Sequence, residues 1–357
     1  MSNNTFNGKN FYTCPVADGD EYRKNYLDSI KRLIDKELAL SEVRRAEFCS
    51  PEKMAKDREK YREKYIEMIG MPCESYPESI PNAEMKYVGE DDFCKIYRVS
   101  IEVMEDFFFY GMLMIPRGVE RAPLIIAQHG GGGTPEKCSD MWGENNYGFF
   151  VKRALERGFV VFAPQILVWT FEVPDENGKP PMGVPYGHRR DYDKLLKRLG
   201  LSLTGLEVFC IRRSLDYLLT LDCINGDNIG MMGLSYGGYF TLHTMAADTR
   251  IKAGYSGAAF NDRRYECFND WGYQNAANTF QDAEIAGLCA PRKLVIDVGK
   301  EDVVFGYKTS LPEAERAEKF YKAADAEDRF IFNLWEGGHR FDASGKGFEA
   351  FFSELSK

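Results

Sequence analysis

The sequence predicts an α/β fold in which a mostly parallel, doubly wound sheet carries a helical extension at its N-terminus. Three observations predict it. Short apolar runs that read as buried strands, such as 122–128 (APLIIAQ) and 293–298 (KLVIDV), alternate with helix-compatible stretches. Several of these runs break off into glycine-bearing turns that hold Ser, Asp or His, and the carboxyl ends of strands are where open α/β sheets place their ligands. The first 70 residues, in contrast, are charged, and Tyr22, Tyr26, Ile30, Leu33 and Ile34 recur at three- and four-residue steps.

Taken in order, residues 1–85 form the extension. A helix begins near Asp20, and a second starts with Ser50 as N-cap and Pro51 at its first position, running through Tyr61, Tyr65 and Ile69. Helices with such stripes hold by tertiary packing, so they are expected to pack on the body, cover a sheet edge or join subunits into a homo-oligomer. Residues 72–81 are a proline-punctuated crossing. The body, 86–357, opens with two antiparallel strands, 94–103 and 107–115, which lead into the buried strand 122–128. A helix near 146–157, a strand at 159–163 and a helix near 205–221 precede the apolar run 229–232. Then come a helix at 238–248, strands at 251–257 and 293–298, a helix at 313–324, a strand at 330–334 and a closing helix near 346–355.

Two stretches break this rhythm and are expected to wall the substrate pocket. One, 166–203, holds Pro174, Pro180, Pro181, Pro185 and the basic patch from Gly187 to Arg190; the other, 259–287, is rich in aromatics and Asn. In the first, Trp169, Tyr186, His188 and Arg189 are the candidate substrate-binding residues, suited to stacking on a sugar or an aromatic ester.

Composition excludes several classes. With 44% hydrophobic residues the 357-residue chain can bury a large core, and with a net charge of -9 and no long basic run it is a poor partner for nucleic acid. No stretch approaches a membrane span or a signal-peptide core, and nine scattered cysteines without a C-x-x-C pair fit a reducing compartment, so a cytoplasmic protein without a metal site is expected.

The chemistry concentrates at four turns. Gly233-Leu234-Ser235-Tyr236-Gly237 is a G-x-S-x-G between an apolar strand and a helix, a setting that presents a serine oxygen on a tight elbow. Downstream, KLVIDV ends in Gly299-Lys300-Glu301-Asp302, which leaves Asp302 just past a strand tip; Asp297 lies inside the strand, and Glu301 leaves the turn in another direction. Strand 330–334 opens into Glu336-Gly337-Gly338-His339, where two glycines free a loop to carry an imidazole. Upstream, strand 122–128 runs into His129-Gly130-Gly131-Gly132-Gly133, a run costly in chain entropy unless the backbone must approach something closely. His129 is read as a brace for that loop.

The order Ser235, Asp302, His339, together with HGGGG at 129–133 and the GLSYGG of 233–238, resembles the α/β-hydrolase superfamily over roughly residues 85–357. Arg213 to Leu218 and the EGGH of 336–339 extend the resemblance to its acetyl xylan esterase and dienelactone hydrolase-like branch, whose members similarly carry an N-terminal helical extension. The resemblance implies a catalytic triad of Ser235 as nucleophile, Asp302 as acid and His339 as base. It also implies an oxyanion hole made of the backbone N–H groups of Tyr236 and Gly131, or of its neighbours Gly130 and Gly132. The expected activity is cofactor-independent hydrolysis of a small or carbohydrate-borne ester, acetyl esters among the candidates. GLSYGGY is also similar to the prolyl oligopeptidase nucleophile motif, which keeps a serine peptidase or acylaminoacyl peptidase in view. A non-catalytic binding protein on the same fold is the third reading.

Overall fold

The computed structural model describes residues 4–72, 79–142, 145–167, 186–265 and 268–356, with the backbone alone at 186–188. Trp169 therefore lies outside the described residues. A small exposed hairpin, β1 (Thr5–Phe6) and β2 (Lys9–Asn10), precedes the long helix α1 (Asp20–Phe48). Ser50 caps α2 (Pro51–Lys56), its hydroxyl accepting the Lys53 N–H at 3.3 Å, with proline at the first turn. Asp57 leaves helical geometry at φ -146°, ψ 58°, so the expected single helix is two, and α3 (Arg58–Met68) follows.

The extension divides in its packing. Tyr65 and Ile69 are fully buried and Tyr61 nearly so, with the Tyr65 hydroxyl 2.6 Å from His243 Nδ1, so α3 docks on the body as its stripe demands. The first half of α1 does not: its stripe from Tyr22 to Ile34 stands in solvent, so of the three expected uses packing on the body does not apply to it. Only its last turns dock, where the buried Arg45 guanidinium donates to Glu313 at 2.8 Å.

The body is one nine-stranded sheet in the order β11-β10-β9-β8-β6-β7-β5-β4-β3. Strands β6 (Ala122–Gln128), β7 (Val160–Pro164), β8 (Ile224–Leu234), β9 (Ile251–Gly257), β10 (Lys293–Gly299) and β11 (Phe330–Trp335) run parallel. Strands β3 (Ala83–Glu90), β4 (Cys94–Met104) and β5 (Phe107–Pro116) add an antiparallel flank. Helices cover both faces. On one, α5 (Phe150–Glu156) and α11 (Lys346–Leu355) bury Phe150, Phe348, Phe351 and Phe352 against Ile125 and Tyr255. On the other, α7 (Leu203–Leu218), α8 (Tyr236–Ala247), α9 (Asp282–Cys289) and α10 (Tyr307–Lys322) pack with α3. Short α4 (Pro135–Cys138) follows the glycine run, and α6 (Tyr186–Lys197) occupies part of the stretch read as loop. Among the described residues no helix is long and apolar enough to cross a membrane.

Candidate active site

Ser235 sits between β8 and α8 at φ 60°, ψ -120°, a region that a serine enters only when its surroundings hold it there. The surroundings do. Its N–H donates to the Gly257 carbonyl at 2.8 Å, and its own carbonyl accepts the Tyr239 N–H at 2.9 Å. The flanking glycines are required by contact: a Cβ on Gly233 would lie 2.4 Å from the backbone of Gly237, and one on Gly237 only 2.1 Å from the Gln128 carbonyl oxygen. The elbow is thus wedged against the end of β6, where the chain turns into the glycine run.

That end is the switch point of the sheet. From β6 the chain crosses to β7 on one side and then returns to β8 on the other, so the connections that leave the paired ends of β6 and β8 lead to helices on opposite faces of the sheet. A Cβ on Gly130 would come within 3.2 Å of the Ser235 Cβ, which places the run directly beside the elbow. The Gly130 N–H is committed to the Tyr147 hydroxyl at 2.8 Å, and the Gly133 N–H to the Gly130 carbonyl at 3.1 Å. Of the three candidate oxyanion donors in the run, Gly130 is therefore occupied within the protein. The Tyr236 N–H opens α8, in the first turn, where helical amides have no acceptor within the helix.

His129 braces the run from within. Its Nδ1 pairs with the Gly130 carbonyl at 2.9 Å, while Nε2 lies 3.1 Å from Gln165 Nε2 and accepts the Ile166 N–H at 3.3 Å, which fixes the tautomer with the proton on Nδ1. Burial pushes its pKa down to about 4, so the ring is neutral at pH 7.

The candidate acid and base meet two strands away. Asp302, just past β10, holds its Oδ2 at 2.9 Å from His339 Nδ1, while its Oδ1 accepts the N–H groups of Val304 at 2.7 Å and Phe305 at 3.1 Å. Burial alone would raise this carboxyl; the His339 hydrogen bond and the two amides outweigh it and hold the pKa below the ordinary value. The loops carrying the two residues are stitched together, Lys300 N–H to the Trp335 carbonyl at 2.9 Å and Glu301 N–H to the Gly337 carbonyl at 2.8 Å. The His339 carbonyl is gripped at 2.8 Å by Asn146 Nδ2. With Nδ1 turned to Asp302, the imidazole leaves Nε2 for a proton from elsewhere. Asp297 and Glu301 lie apart from the imidazole: Asp297 is buried inside β10 and bonded to Tyr255, Asn333 and the Asp342 N–H, and Glu301 is exposed.

The candidate substrate residues fare differently. Tyr186 and His188 fall in the first turn of α6, where the backbone alone is described. Arg189 is 2% exposed, and its Nε, Nη1 and Nη2 all end on protein acceptors. Nε donates to Asp270 at 2.7 Å, and the fork meets Glu207 at 2.9 and 2.8 Å. Burial disfavours the charge, but Glu207 and Asp270 outweigh it and keep the guanidinium protonated. The Arg189 guanidinium is thus turned inward, onto Glu207, Asp270 and the Leu167 carbonyl. Asp270 also accepts the Tyr236 hydroxyl at 2.9 Å, so the network anchors the residue that follows Ser235. Sequence reasoning missed Asp270, Glu207, Tyr147 and Asn146, because partners 17 to 193 residues apart leave no local signal.

Against this geometry the comparisons fall into place. The prolyl oligopeptidase family matches residues 211–284, the span that contains the elbow. A glucuronoyl esterase from Solibacter usitatus superposes with a TM-score of 0.63 at 14% identity, covering 87% of this chain and 95% of that one. This is the α/β-hydrolase fold. Acetyl xylan esterase 1 from Thermoanaerobacterium sp. superposes at 0.57 with 16% identity (84% and 94% covered), and an acetyl xylan esterase from Paenibacillus sp. at 0.59 with 14% identity (83% and 94%). No curated protein is significantly similar to the chain in sequence.

Proposed function

We propose that this α/β-hydrolase-fold chain is a serine carboxylic ester hydrolase that works through an acyl-enzyme on a small or carbohydrate-borne ester. One observation carries the reading. A serine held at φ 60° on an elbow shares the strand-tip edge with an imidazole whose Nδ1 is fixed by a buried carboxylate. Ser235 Oγ attacks the ester carbonyl while His339 Nε2 takes its proton, and Asp302 stabilises the imidazolium. The oxyanion is received by the N–H groups of Tyr236 and Gly131. Collapse expels the alcohol with the proton from His339, and water, activated by the same imidazole, releases the acid and frees Ser235.

The carbohydrate side of the proposal draws on the structural neighbours, which are glucuronoyl and acetyl xylan esterases. A second reading, a peptidase, draws on the match of residues 211–284 to the prolyl oligopeptidase family. Turnover of p-nitrophenyl acetate against amino-acid p-nitroanilides separates the two. Ser235→Ala is expected to lower kcat on the ester on the order of a millionfold while the melting curve stays in place. Retention of most activity would remove the serine from the mechanism, and anilide turnover exceeding ester turnover would favour the peptidase.

A further inference from the structure

The first half of α1 presents a surface that the body leaves uncovered. At 100° per residue Tyr22, Tyr26, Ile30, Leu33, Ile34 and Leu40 fall within a sector of about 120°. Their exposures are 76, 70, 38, 58, 50 and 39%. The opposite face is finished: Lys24 pairs with Asp28 at 2.7 Å and Lys31 with the same carboxylate at 3.9 Å. A helix whose polar side is paired and whose apolar side is bare owes its stability to something that covers the apolar side.

We infer that residues 20–40 are a dimerisation arm that packs antiparallel on the same arm of a second copy of this chain. Two arguments select that occupant. The six side chains expose on the order of 700 Å² together, close to the roughly 800 Å² that each partner contributes to a standard interface and above the patch a monomer ordinarily shows. Charge gives the second argument. Residues 20–37 hold five acidic and five basic side chains within a chain of net charge -9. The half 20–28 carries Asp20, Glu21 and Asp28 against Arg23 and Lys24, and the half 29–37 carries Lys31, Arg32 and Lys36 against Asp35 and Glu37. An antiparallel pair therefore sets a net negative half against a net positive one, the self-complementarity that a two-fold contact requires. A membrane surface would ask instead for a polar face rich in Lys and Arg, and this one is balanced.

The two-fold falls near the middle of the stripe, which puts Ile30 opposite its own copy. Sedimentation of the full chain at micromolar concentration, with the Ile30→Asp and Ile30→Lys variants alone and mixed, tests the inference. The wild type is expected near twice the 40.8 kDa chain mass, each variant near 40.8 kDa with an unchanged melting temperature, and the mixture again a dimer. A monomeric wild type, or variants that stay dimeric, would overturn the arm as the interface. Variants that dissociate but do not reassociate on mixing would overturn the antiparallel arrangement. Binding of a monomeric wild type to phosphatidylserine vesicles would assign the stripe to membrane instead.

Discussion

At the C-terminal edge of the sheet His339, Asp302, Gly130 and Arg189 each end on a protein partner, whereas along the first half of α1 Tyr22 and Tyr26 end in solvent. The two regions divide the labour of the chain. Where groups are buried and polar, each needs a named acceptor or donor, and those bonds hold the edge in one arrangement. Where they are apolar and exposed, as along Tyr22 and Tyr26, no part of the body covers them. The extension contains its own control: α3 carries the same tyrosine spacing as α1, yet Tyr65 is wholly buried and bonded to His243. Periodicity locates a stripe, and the body decides whether the stripe is covered.

The largest expected effect breaks the edge without touching the fold. Asp302→Asn keeps an oxygen for the Val304 and Phe305 amides but loses the carboxylate that fixes the His339 tautomer. It should lower kcat on p-nitrophenyl acetate roughly 10⁴-fold with little change in melting temperature. Near-normal turnover would mean that Asp302 only shapes its own loop.

Next in size is the contrast inside the extension. Tyr65→Ala removes a buried ring and its hydrogen bond and should cost about 3–5 kcal/mol in urea unfolding, whereas Tyr22→Ala, compared at a concentration where the chain is monomeric, should stay within about 0.5 kcal/mol. Equal costs would show that the first half of α1 is packed after all.

The smallest effect is a pH dependence located at the edge. Burial lowers the His129 pKa to about 4, below its ordinary value of 6.5. Between those values the unfolded chain binds a proton that the folded one refuses, so stability rises with pH through that window and is lost on acidification, by up to about 3 kcal/mol from this group. Urea midpoints for wild type and His129→Gln between pH 7 and pH 4 should diverge in slope, the variant falling less steeply. Parallel slopes would mean that the ring takes up its proton without cost to the fold.

Much of this architecture was legible before the structure, and what was not has physical reasons. The strands from β6 onwards and the contact between Asp302 and His339 could be read because apolar runs end abruptly at glycine turns, and a strand tip dictates where the next few residues go. β3 escaped notice because AEMKYVGE is an edge strand with most side chains exposed, and its alternation of Ala83, Met85 and Tyr87 with charged residues stops at Val88 and the bulge between Tyr87 and Gly89. α9 escaped for the opposite reason: all eight of its residues are buried, Asp282 and Glu284 included, so no solvent-facing side sets a period. The Tyr236–Asp270–Arg189–Glu207 network joins residues from three separate elements, and no window of sequence contains it.

The account rests on Ser235 as the nucleophile, and covalent capture tests that most directly. Intact-mass measurement after treatment with a fluorophosphonate, followed by peptide mapping, should give one adduct per chain, on the peptide that contains Ser235, with none in Ser235→Ala and a much slower reaction in His339→Ala. A chain that stays unlabelled while fully folded, or one labelled at another residue, would contradict the account.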